Sequence, residues 1–179
     1  MVNYITITKT KKQELYNNMK TRCYNDNYHE AKPSYTNCSI CDEWLDDKKL
    51  FYEWVDHNFY EIDGEPTVEL DKDILVPGNK VYSPDTCVFA PKRINDLFPS
   101  INKNSSGLPT GVTYSEKTGK YKAAIRKNGK NTVLGFFDTV EEAAEVYKQH
   151  KKAEIIHVAD EYKDRIPDAL YKAMIHYFD

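Results

Sequence analysis

GKYKAAIRKNGKNTVLGFFDTVEEAA, residues 119–144, changes its period twice. Apolar and polar residues alternate from Tyr121 to Arg126, the chain turns on Asn128-Gly129, and alternation resumes as far as Phe137. Alternation marks a strand with one buried face, and Asn-Gly readily takes the positive φ angles of a tight hairpin. Strands are therefore expected near 109–115, 120–127 and 131–137, paired antiparallel. Thr139 and Glu142 then have the spacing of a capping box, in which each side chain bonds the other residue's backbone N–H. The box opens a helix to about residue 160. Val140, Ala143, Ala144 and Tyr147 fall on one stripe of it, and that stripe suits one face of the sheet.

The side-chain parity of the strands divides the sheet. Tyr121, Ala123 and Ile125 are expected under the helix, joined by Leu134 and Phe136 and by Val112 and Tyr114. The opposite face then shows Thr113, Ser115, Lys122, Ala124, Arg126, Asn131 and Val133, with Lys117, Lys120, Lys127 and Lys130 around it. Two readings fit this face. It is the wet side of an antiparallel sheet, or it is a ribbon narrow enough for the DNA major groove, about 12 Å wide. In the second reading Arg126 forks onto a guanine edge and the lysines neutralise phosphates.

Working outward, the 179-residue chain carries a net charge of −3, with 40% hydrophobic residues. That suffices for one domain or two small ones. The charge is segregated. Residues 42–73 hold Asp42, Glu43, Asp46, Asp47, Glu53, Asp56, Glu61, Asp63, Glu65, Glu69, Asp71 and Asp73, whereas Glu116 is the only carboxylate in 103–130. Such segregation predicts two units with different partners. The expected division is an acidic unit over 1–98, a linker over 99–107 and a basic unit over 108–179 that includes a C-terminal helix opened by Pro167. No apolar run is long enough for a membrane span. The first residues, Met1-Val2-Asn3-Tyr4-Ile5-Thr6, lack a charged-then-apolar leader, so the expected location is the cytoplasm.

The acidic half predicts a first helix near 11–24, with a capping box of Thr10 and Gln13 and a stripe of Leu15, Met19 and Cys23. A second helix is expected over 42–58. Short strands are expected from Val68 to Leu75, from Lys80 to Tyr82 and at Val88-Phe89, then a helix from Arg93 to Phe98. The fold class is thus α+β, a helical and ββα unit followed by a three-stranded sheet packed on a helix. The four cysteines allow two readings. Cys38-x-x-Cys41 is half of a closed zinc site that Cys23 and Cys87 would complete with Zn²⁺. Alternatively, Cys23 is a small buried hydrophobe on its helix stripe.

Residues 108–150 resemble the APETALA/ethylene-response-factor type of DNA-binding domain. The residues that carry the likeness are Thr110-Gly111-Val112, the run from Gly119 to Arg126, the run from Leu134 to Thr139, and Glu141, Glu142, Ala143, Ala144 and Tyr147. The resemblance implies three strands on one helix, with the sheet reading double-stranded DNA. Arg126 matches a family arginine. The family has arginines near Thr113, Ser115 and Asn131 and a tryptophan at Val133, so phosphate-led binding is the expectation here.

Residues 69–98, with 19–26 and 41–44, resemble bacteriophage proteins described as HNH-endonuclease-like, in which such a unit often precedes an APETALA-type domain. The likeness implies a ββα site around one divalent metal, with a histidine general base. Asp71 and Asp73 stand where the base and its neighbour belong, Thr86 at the middle asparagine, and Asn95 at the last ligand. Asp73 and Asn95 would hold Mg²⁺, while an aspartate is a poor base near neutral pH unless its pKa is raised. The plainer reading makes both aspartates hairpin and salt-bridge residues near Lys72, Lys80 or Arg93. Three functions follow as expectations: a phage-type duplex-DNA-binding protein with a degenerate HNH-like unit, an active metal-dependent endonuclease, or an inhibitor whose acidic 42–73 surface fills the basic groove of a host nucleic-acid-binding protein.

Overall fold

The computed structural model describes residues 1–98, 107–127 and 129–178. In chain order the elements are β1 (Asn3–Tyr4), α1 (Lys9–Tyr24), α2 (Asp26–Ala31), β2 (Ser39–Ile40), α3 (Asp42–Asp46), α4 (Lys48–Asn58), β3 (Tyr60–Glu61), β4 (Val68–Asp71), β5 (Val81–Tyr82), β6 (Val88–Pro91), α5 (Lys92–Asn95), β7 (Val112–Ser115), β8 (Lys120–Lys127), β9 (Lys130–Phe137), α6 (Val140–Tyr162) and α7 (Asp168–Ile175). The class is α+β, as expected. No helix among the described residues is long and apolar enough to cross a membrane.

The chain forms two compact units. One comprises residues 1–98 and 159–177, and the other comprises 99–158 with Phe178. Helix α7, expected with the basic half, therefore belongs with the acidic one. The reason is its apolar side: Leu170 and Met174 are buried, as are Tyr162 and Ile166 just before it. Apart from Gly107, the linker expected over 99–107 lies outside the described residues.

In the first unit, α1 begins two residues before the expected start. Thr8 rather than Thr10 is the N-cap, its hydroxyl accepting from the Lys11 N–H at 3.3 Å. Gln13 instead bonds Asn17 at 2.8 Å and accepts from Lys48 and Tyr52. The single helix expected over 42–58 is two. Asp47 is extended and its carboxylate accepts from the Lys49 N–H at 2.9 Å, so the residue that ends α3 caps α4. The core holds Met19, Trp44, Phe51, Tyr60, Tyr82, Phe89 and Ile94. Tyr16 and Tyr60 are buried with their hydroxyls on the carbonyls of Trp44 and Phe89, both at 2.8 Å, which satisfies the polar end of each ring. The first-unit strands are short: β1 pairs with β3, β2 runs parallel to β5, and β4 is antiparallel to β6.

The second unit is the three-stranded antiparallel sheet β7-β8-β9 with α6 as far as Val158. Val112, Ala123 and Ala143 form its buried centre, with Tyr121, Leu134, Phe137 and Ala144 packed around them. The capping box forms: the Glu142 N–H donates to the Thr139 hydroxyl at 3.2 Å, and the Thr139 N–H to the Glu142 carboxylate at 3.4 Å. Gly111 has φ +81, and a Cβ there would lie 2.0 Å from the Tyr147 ring. Only glycine allows both that backbone angle and that approach of helix to sheet.

Candidate nucleic-acid interface and the ββα segment

Cross-strand register fixes which side chains share a face of the second unit's sheet. Thr113 lies opposite Lys122, and Lys122 opposite Phe136, so one row crosses all three strands. Ala124 faces Val133 and Arg126 faces Asn131. Ser115 faces Lys120. The structure thus brings Thr113, Ser115, Lys120, Lys122, Ala124, Arg126, Asn131 and Val133 to one side, opposite the buried Ala123 and Ile125.

Phe136 departs from expectation. It was expected under the helix with Leu134, but it is 45% exposed, on the same side as Lys122. The register shifts between Ala123 and Ala124: their partners are Gly135 and Val133, which leaves Leu134 as the extra residue. A bulge of one residue reverses the alternation beyond it. Leu134 and Phe137 therefore both reach the helix side, and Phe136 turns outward. Tyr114 also differs. It lies beside Tyr121, with ring centroids 5.2 Å apart, yet is 53% exposed.

The cations of this unit fall into two groups. Lys122 and Arg126 have no ion-pair or hydrogen-bond partner among the described residues, and both stand on the free face. Lys120, at the margin, pairs with Asp138 at 3.0 Å. Lys127 and Lys130 face each other across the register with the parity of Ile125, on the helix side. Lys127 there pairs with Glu154 of α6 at 2.5 Å. Lys117 is exposed in the β7–β8 turn, and Asn128 lies outside the described residues.

The residues expected to form an HNH-like centre are arranged differently. Strand β4 and α5 do flank β6, but each polar group is held by the scaffold. The Asp71 carboxylate accepts from the backbone N–H groups of Asp73 and Ile74, at 2.7 and 2.8 Å, and so caps the turn after β4. Burial, and then the neighbouring Asp73 charge, push the Asp71 carboxyl up from 3.8 to about 6 despite those bonds. Asp73 pairs with Lys72 at 3.0 Å. The Lys72 ammonium is itself buried, between the rings of Tyr35 and Tyr82. The Asn95 amide donates to Glu69 at 2.9 Å. Thr86 bonds the Val81 carbonyl and the Ser83 hydroxyl. His29 and His57 each bond a backbone carbonyl, of Arg22 and Glu53 respectively.

Glu69 was not singled out in the sequence. It lies two residues before Asp71 in β4, and strand parity alone would have put the two carboxylates on one side.

The cysteines do not gather as a zinc set. Cys23, Cys38 and Cys87 are buried, Cys41 is partly exposed, and all are free thiols. Burial pushes the Cys23 thiol up to about 12 and raises those of Cys38 and Cys41, so these side chains pack as neutral thiols. Among the described residues no three His, Cys, Asp or Glu side chains cluster as a cation would need. Neither Mg²⁺ at Asp73 and Asn95 nor Zn²⁺ at the cysteines fits this arrangement. The acidic surface proposed for a host protein is exposed at Asp42, Glu43, Asp46 and Asp47, beside the exposed Leu45 and Leu50.

Comparison of the chain with protein-family models, with curated proteins and with solved structures yields no match.

Proposed function

We propose that the protein binds duplex DNA through the free face of its β7-β8-β9 sheet, and that the first unit serves as a scaffold rather than a cutting centre. The observation that carries this reading is the placement of Lys122 and Arg126. Both stand on the uncovered face, at positions i and i+4 of the central strand, with no partner among the described residues. On a sheet that merely meets water, cations without counter-charges serve solubility alone. A polyanion gains counterion release for each phosphate neutralised. The small residues Ala124 and Thr113 leave room for close approach, and a fork such as Arg126 suits a guanine edge. The resemblance to APETALA-type domains carries the same expectation.

The test is duplex binding at several salt concentrations. Replacing both Lys122 and Arg126 by alanine is expected to weaken binding by about 1–3 kcal/mol if a bidentate contact is lost. The slope of log affinity against log salt should also flatten by roughly one unit per phosphate contact removed. Unchanged affinity and slope would refute the interface.

One observation favours a second reading, in which the first unit cuts DNA. Burial and the Asp73 carboxylate raise the Asp71 carboxyl to about 6, nearer to neutral pH than an ordinary aspartate, which is the direction a general base needs. Supercoiled plasmid incubated with Mg²⁺ or Mn²⁺ decides between them. The scaffold reading expects no nicking. Nicking that rises through pH 6 and is lost in Asp71→Asn would establish the second.

A further inference from the structure

The outward turn of Phe136 gives the sheet face a feature that phosphate binding does not use. Phe136 and Val133 are 45% and 52% exposed. Their cross-strand neighbours on that face are Lys122 and Ala124. The third strand therefore presents an apolar strip alongside the cationic row of the central strand. An isolated exposed apolar side chain needs no explanation. Two on the same side of one strand, beside two cations with no partner among the described residues, form a surface with a defined chemical counterpart.

In the duplex major groove, base faces are hidden by stacking and only edges are presented. The one apolar group on those edges is the C5-methyl of thymine, which apolar side chains recognise by contact. We infer that Phe136 and Val133 contact C5-methyl groups of pyrimidines in the major groove, beside the cationic contacts that Lys122 and Arg126 supply, so that this face prefers methyl-bearing sites. The inference rests on the duplex reading above and makes Phe136 its specificity-determining residue. The same chemistry is presented by thymine and by 5-methylcytosine.

The test uses the full chain and matched synthetic duplexes of equal length. One pair is alternating dA·dT against dA·dU, which differ by the methyl alone. The other is alternating dG·dC with and without 5-methylcytosine. Tighter binding to the methylated member is expected, roughly fourfold for each methyl covered. A preference in the first pair alone assigns the contact to thymine; a preference in both assigns it to the methyl as such. Phe136→Ala should bring the ratio close to one while leaving the salt slope unchanged, and Phe136→Leu should retain part of the preference. Because Phe136 is half exposed, its replacement leaves the fold intact, which circular dichroism checks. Equal binding to both members of each pair, with a normal salt slope, overturns the methyl contact but leaves the duplex interface standing. No binding to any duplex overturns both. Tighter binding to single-stranded dT than to any duplex also overturns the inference, and reassigns Phe136 to stacking on free bases.

Discussion

The two units treat their charged side chains in opposite ways. In the ββα segment every polar group that a nuclease would use is engaged by the protein: Asp71 by two backbone N–H groups, Asp73 by Lys72, Asn95 by Glu69. On the sheet, Lys122 and Arg126 are engaged by nothing among the described residues. A side chain held by its neighbours has its geometry and charge accounted for by folding. A cation left without a counter-charge on a flat face is available to a ligand. Residue types alone suggested chemistry in both units; only the partners separate them.

The largest effect that would sharpen this contrast comes from the joint between sheet and helix. Gly111→Ala places a methyl into the Tyr147 ring on a backbone at φ +81. The clash and the angle together are expected to cost about 3 kcal/mol, read as a lowered denaturation midpoint for the second unit, with duplex binding lost alongside. The Lys122 and Arg126 double variant should do the reverse. It should lose about 1–3 kcal/mol of duplex affinity with stability changed by less than about 0.5 kcal/mol. Should both substitutions lower stability alike, the distinction between structural and available groups fails.

Asp71 tests the other side of the comparison. Its folded-state carboxyl is raised from 3.8 to about 6, so the folded state holds its proton more tightly than the unfolded chain does. The associated stability is fully present below about pH 4 and is lost as the pH rises through 6. Partial exposure reduces the loss to on the order of 1–2 kcal/mol. Asp71→Asn keeps an acceptor oxygen for the Asp73 and Ile74 N–H groups and removes the charge. Its unfolding free energy should gain on the wild type between pH 4 and pH 7. A parallel pair of pH profiles would show that burial does not govern this group.

The second unit was largely legible in the sequence because its signals are local. Alternation, the Thr139–Glu142 spacing and the glycine in the turn each act within a few residues, and together they specify strand, strand and helix. The bulge at Leu134 was not legible. Nothing in Thr132-Val133-Leu134-Gly135 marks which residue is extra, and one extra residue sends Phe136 to the opposite face. The first unit was harder to read, since its strands are two to four residues long and pair across long separations, as β2 does with β5. The surroundings of the candidate residues there were not legible either, because a sequence motif reports which residue types are present and not which neighbours, such as Glu69 beside Asn95, engage them.

Lys127 offers the finest division, because it is one side chain away from Arg126 and has the same kind of charge. Strand parity turns it to the helix side, where it meets Glu154, a carboxylate whose side chain is only 9% exposed. Lys127→Ala removes the partner of a largely desolvated charge, while the Lys127 end of the pair is itself 47% exposed. Water then reaches the pair and limits the penalty to about 0.5–1 kcal/mol of stability. Duplex affinity should change by less than about twofold, the general loss expected from lowering the local field at physiological salt. Paired measurements on Lys122→Ala and Lys127→Ala therefore separate a contact from a field. If the two lysines weaken binding equally, DNA senses only the summed charge of the unit, and the face of the sheet has no special standing. If Lys122 alone matters, the alternation of the central strand decides which cations reach the duplex.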